Sequence, residues 1–214
     1  MFKAFKYRLY PKPKQAVMFA KHFGCVRYIY NWGLEQKIKQ YQLKKKSLSC
    51  FQLCKMITPL KKQPDTCWLS EVNSQALQQS VNHLDNAFTK FFREKKGFPK
   101  FKSRSNRQSF SCPQNVKVDF HNSTIYLPKI GDIKTVFSRE FTGKIKTCTV
   151  SRTSTGKYFV SILVETHDNV KSKPQIRDKK SIGVDLGIKE FCFTEAKFNF
   201  THGLWGRACG DACK

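Results

Sequence analysis

The sequence has 214 residues, of which 40 are Lys or Arg and 15 are Asp or Glu, so its formal net charge is +25. An apolar share of 40% is ordinary for a protein that buries a core, which excludes disorder along the whole chain. So large a positive charge indicates a polyanionic partner. Because we find no run of 18 or more apolar residues, no signal-peptide core and no lipidation motif, we expect nucleic acid as this partner, and no membrane.

The nine cysteines do not follow the paired Cys-x-x-Cys spacing of a zinc ribbon or a disulfide framework. This pattern indicates a reducing, cytoplasmic setting. Cys50 and Cys54 lie four residues apart, as do Cys209 and Cys213. Each pair has two metal ligands to offer, but no further pair completes a tetrahedral site, so we expect no zinc.

The first half of the chain predicts one strand followed by helices. Residues 2–10 alternate between apolar and basic side chains, which is the period of a half-buried strand. From Lys14 the apolar residues recur at helical spacing down one side of a long helix. A second helix begins at Ser47 or Ser49, since Ser49 and Gln52 have capping-box spacing.

A third helix is predicted from about Ser74 to Lys95, and its apolar stripe has the most regular helical period in the chain. We interpret the aromatic residues of this stripe as helix-bundle core and not as a platform for stacking bases. The stripe consists of Leu77, Val81, Leu84, Phe88, Phe91 and Phe92.

After Lys96 the pattern changes to short strands separated by turn residues. Strands at this spacing suggest a small antiparallel barrel or sandwich, to which the first strand could return. Residues 166–180 are polar and Lys-rich, which is typical of a linker. Residues 181–214 hold four cations and four acids, so the charge excess lies upstream of them. The predicted strands cover residues 116–120, 124–127, 133–137, 145–151 and 158–165.

Asp185 stands at the end of a short apolar strand, in Gly183-Val184-Asp185-Leu186-Gly187. Nucleases with an RNase H-like core place a metal-binding carboxylate in such a position, where the strand holds it and the glycine leaves room for a phosphate. On its own the pattern is weak, because an Asp before Leu-Gly is often a turn former.

The candidate nucleic-acid-binding residues are basic and aromatic. The cations would contact phosphates, which gives affinity without sequence choice. Phe98 and Phe101 would either stack on unpaired bases or plug the mouth of the barrel. The cations are Lys6, Arg8 and Lys12 around the first strand, and Lys95, Lys96, Lys100, Lys102, Arg104 and Arg107 in the loop after the third helix.

Several stretches together resemble the TnpB (OrfB) family of insertion-sequence transposon proteins, RNA-guided RuvC nucleases related to type V CRISPR effectors. The similar stretches occur in family order and cover nearly all of residues 1–193. They are residues 5–11 (FKYRLYP), 28–32 (YIYNW), 74–79 (SQALQQ), 97–102 (GFPKFK), 116–118 (VKV), 126–129 (YLPK), 150–153 (VSRT) and 183–187 (GVDLG).

The resemblance implies an α+β protein: a small antiparallel β-barrel of the wedge type, with an inserted helical lobe, followed by a RuvC nuclease domain. In these terms residues 1–12 are the first barrel strand, 13–96 the helical recognition lobe, 97–168 the rest of the barrel, 169–180 a linker and 181–214 a RuvC-like fragment and tail. It also implies a structured guide RNA and target DNA as partners, a prokaryotic cell as the setting, Asp185 as the first catalytic carboxylate, and Mg²⁺ as the metal.

The sequence departs from the family pattern after residue 193. Family members continue to a catalytic Glu, a zinc ribbon with four cysteines and a final catalytic Asp, and we recognise none of these here. We therefore expect a truncated or internally deleted member with an incomplete metal site, which binds nucleic acid but is catalytically inactive. Two further hypotheses stay open: a regulator that binds DNA through a helix-turn-helix, and a decayed transposase remnant without function.

Overall fold

The structure, a computed structural model, describes residues 1–166 and, as backbone only, residues 184–185 and 193–194. The chain divides into two compact units, Met1–Asn169 and Val170–Lys214. The elements in chain order are β1 (Phe2–Tyr10), α1 (Pro13–Lys44), α2 (Cys50–Leu60), a 3₁₀ helix (Pro64–Glu71), α3 (Ser74–Arg93), β2 (Gln108–Cys112), β3 (Lys117–Asp119), β4 (Thr124–Leu127), β5 (Gly131–Val136), β6 (Lys144–Arg152), β7 (Tyr158–Glu165), β8 (Val184–Asp185) and β9 (Phe193–Thr194).

In the first unit, seven antiparallel strands form one sheet in the order β2-β6-β7-β1-β5-β4-β3. The fold is therefore α+β, as predicted. The first strand does return to the later strands, and it lies at the centre of the sheet between β7 and β5. The β1–β7 ladder is extended by one residue on each strand, because the backbones of Met1 and Thr166 exchange hydrogen bonds of 2.8 and 2.7 Å.

The predicted barrel is wrong, because the sheet is open. β1 pairs with β7 over Phe2–Leu9 but with β5 only over Arg8–Tyr10, so one edge of β1 is mostly free of strand partners. A closed barrel needs a continuous ladder around the whole circle. Instead, Phe141 packs against Phe5 with ring centroids 5.1 Å apart, and Phe137 packs edge-on against Tyr7 at 4.9 Å.

The two faces of the sheet differ because side chains alternate along each strand. One face is apolar and buried, and it packs against α1, where Phe19 contacts Phe110 and Tyr158. We call the opposite side the outer face, and it carries Lys6 and Arg8.

The helices pack through α1 and α3. A Cβ on Gly33 of α1 would lie 3.1 Å from Leu84 Cδ2 of α3, so the absence of a side chain there lets the two helices approach closely. The predicted stripe of α3 is confirmed at Leu77, Val81 and Leu84, which are buried. Phe92 is 71% exposed, so its assignment to the core is wrong.

The predicted start of the second helix at Ser49 is confirmed. The Ser49 hydroxyl accepts a hydrogen bond from the backbone of Gln52, whose side chain accepts one from the backbone of Ser49. The 3₁₀ helix and β2 were not predicted. β2 is short and rich in polar residues, and it becomes a strand by pairing with β6.

The second unit contains a short antiparallel ladder in which Asp185 pairs with Phe193 and Val184 with Thr194. The remaining residues of the expected linker and RuvC-like fragment lie outside the described residues. The domain boundaries and the RuvC assignment therefore stay predictions.

Candidate nucleic-acid interface

Lys6 and Arg8 project from the outer face of β1 around one aromatic ring. Lys6 Nζ lies 4.8 Å from the ring centroid of Phe159 on β7, and the guanidinium of Arg8 lies 5.7 Å from it. Arg8 also lies 5.2 Å from the ring of Tyr10. These cation–π contacts hold both positive charges close together on the sheet surface.

The neighbouring positions of the outer face carry hydroxyl groups. Within one row the Ser111 and Thr149 hydroxyls are 3.0 Å apart. Hydroxyl groups and cations are among the side chains that contact nucleic-acid phosphates. Of the hydroxyl residues here, Ser109, Thr149 and Ser161 are half-buried, and Ser111 and Ser151 are buried. The strand register aligns residues of β2, β6, β7 and β1 in two rows that run across the sheet. These rows are Ser111-Thr149-Ser161-Lys6 and Ser109-Ser151-Phe159-Arg8.

Arg8 contributes an unsatisfied donor to this surface. Its Nε is buried and has no hydrogen-bond partner among the residues that the structure describes. A buried guanidinium nitrogen without a partner is unfavourable, and an acceptor oxygen brought by a ligand would remove that penalty.

The loop of residues 97–107 is attached to α1 through Asn31. The Asn31 side chain accepts a hydrogen bond from the backbone N–H of Lys102 at 2.8 Å and donates one to the Lys102 carbonyl at 2.9 Å. Lys102 Nζ lies 3.9 Å from the ring centroid of Tyr30, and burial lowers the pKa of this ammonium group. The loop is thus fixed in place where it crosses α1.

Phe98 and Phe101 have different surroundings, and neither plugs a barrel mouth because the sheet is open. Phe98 packs edge-on against Phe88 at 5.6 Å and Phe91 at 5.4 Å, so it covers the end of α3. Phe101 is 58% exposed. In the described part of the chain no aromatic ring packs against it.

The other candidate cations are exposed but dispersed. Lys12 caps the start of α1, where its backbone N–H donates to the Gln15 side chain at 2.9 Å. Lys96 is 2.7 Å from the carboxylate of Glu94, which neutralises part of its charge. Lys95, Lys100, Arg104 and Arg107 are exposed. The structure therefore brings together Lys6 with Arg8, and Phe101 with Lys102, but does not gather all the candidates in one cluster.

A cleft of about 580 Å³ lies along α1 between the 3₁₀ helix and Phe101; we call it the α1 cleft. Sequence reasoning missed most of its lining, because no local pattern links α1 to residues 68–71. Only the separate aromatic and charged residues were visible as signals. The lining residues are Lys21, Gly24, Cys25, Arg27, Tyr28, Asn31, Trp32, Glu35, Trp68, Glu71 and Phe101.

Candidate metal-binding side chains do not cluster within residues 1–166. Within residues 1–166 the structure shows no group of three or more His, Cys, Asp or Glu side chains that could hold a metal ion. The side chain of Asp185 lies outside the described residues, and only its backbone pairing in β8 is described. The expectation of an incomplete Mg²⁺ site therefore remains untested.

Similarity to known proteins identifies the family. A helix-turn-helix domain family of the OrfB group matches residues 1–46. An Escherichia coli K12 protein, provisionally named RNA-guided DNA endonuclease InsQ, is 34% identical over 185 residues, which is 86% of this chain and 45% of that protein. A Streptomyces pristinaespiralis protein, with the same provisional name of RNA-guided DNA endonuclease, is 33% identical over 87% of this chain and 46% of its own length. The chain belongs to the TnpB (OrfB) family.

This TnpB-family chain spans slightly less than half the length of those two relatives. A shorter protein, virulence protein VsdF of Salmonella dublin, is 35% identical over 113 residues, covering 49% of this chain and 95% of VsdF.

The geometry of residues 1–46 does not match the helix-turn-helix description. These residues form β1 and the single continuous helix α1, so this stretch contains no turn between two helices. In the described part of this TnpB-family chain, no helix is long and apolar enough to cross a membrane.

Proposed function

We propose that this chain is a nucleic-acid-binding part of a transposon-encoded, RNA-guided system, and that it holds a structured guide RNA together with the DNA that the RNA pairs with. Sequence choice would come from base pairing, while the protein contacts phosphates and helix shape. The observation that carries the proposal is that Lys6 and Arg8 lie around one aromatic ring on the outer face, beside rows of residues with hydroxyl groups.

Charge supports the same conclusion. The net charge of +25 comes from residues 1–180, since the last 34 residues hold equal numbers of cations and acids. Lysines in the described part of the chain that pair with carboxylates include Lys21, Lys37, Lys39, Lys96 and Lys146, and the acids that they meet are already counted in the net charge. Most of the excess is therefore free to attract phosphates over several ångströms.

The proposal is tested by measuring binding to RNA and DNA over a range of salt concentrations. We expect affinity to fall steeply with salt, and the double substitution Lys6→Gln with Arg8→Gln to lower the slope of log affinity against log salt by about 2. The matched control is Lys39→Gln with Lys146→Gln, because both lysines already pair with carboxylates, at 2.6 and 2.7 Å. A purified chain that binds neither RNA nor DNA at low salt would exclude this function.

The RNA that co-purifies with the chain distinguishes the proposed function from the regulator hypothesis. Guide-dependent binding predicts one defined, structured RNA species, identified by sequencing. A regulator would bind duplex DNA in the absence of RNA. The family description of residues 1–46 as a helix-turn-helix favours a regulator, whereas the single helix in this stretch does not. A decayed remnant would lack a cooperative thermal transition.

We also propose Asp185 as one carboxylate of the RuvC-type centre. Mg²⁺ held there would activate water and stabilise the leaving oxygen during phosphodiester cleavage, which requires several carboxylates around the ions. Asp185 would supply one metal-binding oxygen group from the end of a strand. We propose that the further carboxylates are not supplied by residues 181–214, so that this chain binds nucleic acid without cutting it.

A further inference from the structure

The α1 cleft differs in net charge from the rest of the protein. Its charged lining consists of two cations, Lys21 and Arg27, and two acids, Glu35 and Glu71. The cleft is therefore neutral overall on a protein with a net charge of +25. A phosphate entering it would meet two carboxylates, so the charge balance favours the uncharged part of a nucleotide over its phosphate.

The charged groups of the cleft already have partners. Lys21 pairs with Glu71, and Glu35 lies 2.6 Å from Lys39. Arg27 donates a hydrogen bond of 3.0 Å to the Gln108 side chain. What the cleft offers to a ligand is consequently its aromatic surface, formed by Tyr28, Trp32, Trp68 and Phe101.

Trp68 and the backbone next to Phe101 are each fixed by neighbouring groups. Trp68 donates its ring N–H to the carbonyl of Asp65 at 2.9 Å and packs edge-on against Tyr28 at 5.1 Å. Phe101 directly precedes Lys102, whose backbone is fixed to α1 by the two hydrogen bonds of Asn31. The backbone beside Phe101 is thus fixed, while its ring is 58% exposed and open to stacking by a second ring.

We propose that the α1 cleft binds one unpaired nucleobase of a bound RNA or DNA strand, stacked on Phe101, with the strand's phosphates outside the cleft near the exposed Lys100. The volume of about 580 Å³ is ample for a base, since pockets for small molecules measure about 300–1,000 Å³. Stacking accepts every base because each has an aromatic face. This inference rests on the proposed nucleic-acid binding and adds a defined site to it.

The test compares the full chain with Phe101→Ala on single strands that carry bases and on strands of equal length and charge whose sugars are abasic. Oligoadenylate as RNA and as DNA provides the base-carrying probes, and an abasic deoxyribose strand provides the control. Phe51→Ala is the matched control protein, because Phe51 is 67% exposed on α2 and does not line the cleft. Fluorescence of Trp68 and Trp32, both in the cleft, gives a second readout.

We expect Phe101→Ala to weaken binding of the base-carrying strands about tenfold and to leave the abasic strand unchanged. Phe51→Ala should change neither. Base-carrying strands should also quench tryptophan fluorescence more than the abasic strand does. A greater effect on RNA or on DNA would identify which strand supplies the base.

Two outcomes would overturn the inference, and they differ in what else they exclude. If base-carrying and abasic strands bind equally well and Phe101→Ala alters neither, the cleft takes no base while the proposed function stands. If no strand binds at low salt, the proposed function fails together with the cleft. A thermal melt of Phe101→Ala that matches the unsubstituted chain shows that the comparison is made on folded protein.

Discussion

Asn31 on α1 binds both the backbone N–H and the carbonyl of Lys102, so one amide side chain fixes the loop that follows α3. Replacing Asn31 with Asp removes the donor and places a carboxylate beside the Lys102 carbonyl. We expect Asn31→Asp to lower the free energy of unfolding by about 1 kcal/mol and to weaken single-strand binding, since Phe101 would no longer be held at the cleft.

This prediction is checked by denaturant unfolding and by the same strand-binding assay. The matched control is Asn86→Asp, which introduces the same charge at an exposed position of α3. If Asn31→Asp and Asn86→Asp reduce binding equally, the effect is one of charge and the fixed loop has no role.

Lys37 is almost fully buried, and its ammonium group lies 3.0 Å from Asp85 and 4.8 Å from the ring centroid of Phe88. Because Asp85 is partly solvated, much of the contribution of Lys37 comes from its packed aliphatic stem. We expect Lys37→Ala to lower the free energy of unfolding by about 1–3 kcal/mol and Lys37→Met to lower it less.

Lys39 provides the comparison for Lys37 on the same helix. It is an exposed lysine that pairs with Glu35 at 2.6 Å. Lys39→Ala should stay within about 0.5 kcal/mol of the original chain in urea unfolding. Equal losses for Lys37→Ala and Lys39→Ala would contradict the packing argument.

Buried His22 connects α1 to the start of α3. Its Nδ1 is 2.7 Å from the Met18 carbonyl, and its Nε2 accepts a hydrogen bond from the backbone of Asn73. With Nε2 as the acceptor, the ring is neutral, and burial lowers its pKa below the ordinary 6.5. As the pH falls below 6.5 the unfolded chain takes up a proton before the folded chain does, so stability present above that pH is lost on acidification.

The measurement is denaturant unfolding between neutral and mildly acidic pH. His22→Gln retains an acceptor without titrating, and it should reduce the loss of stability on acidification. His121→Gln is the control, because it replaces an exposed histidine in the turn between β3 and β4 by the same residue. A pH dependence that His22→Gln leaves intact would exclude His22 as its source.

Much of this fold was predictable wherever the pattern was local. The spacing of Leu77, Val81 and Leu84 predicts α3, and the capping-box spacing of Ser49 and Gln52 predicts the start of α2. β2 was missed because a five-residue segment with three polar side chains becomes a strand only through its partner β6. The open sheet was not predictable either, since it depends on how far β5 overlaps β1.

The candidate site, like the fold, was predictable only where the signal was local in the sequence. The charge imbalance and the aromatic and basic residues of the loop after α3 were visible in the sequence, and Lys6 and Arg8 do lie together. Asn31 and Trp68 were not identified, because their relevance comes from contacts with residues distant in the chain or from a cleft that only the folded chain forms. Asn31 lies in one of the stretches that resemble the family, residues 28–32, but that pattern gives no sign of its contact with Lys102.

Catalysis is tested by incubating DNA and a matching RNA guide with the chain and magnesium. We expect no detectable scission from this 214-residue chain and no difference from Asp185→Ala, because two-metal cleavage requires several converging carboxylates and we propose that residues 181–214 supply only Asp185 to such a centre. The Escherichia coli relative is incubated with DNA and a matching guide in a parallel reaction for comparison. Metal-dependent cleavage that disappears in Asp185→Ala would show that the chain does complete a catalytic centre.

The central position of β1 has a consequence for how the protein is made. β1 precedes every other strand of the sheet in the chain, yet the strand with which it pairs over the greatest length, β7, begins only at Tyr158. During synthesis the helices α1 to α3 can form early from contacts close in sequence, whereas β1 gains its longest strand partner only after β7 has been made. Until then the backbone hydrogen-bonding groups of β1 lack their strand partner, and its apolar side chains Phe5, Tyr7 and Leu9 are unburied, so this stage of synthesis exposes the chain to aggregation.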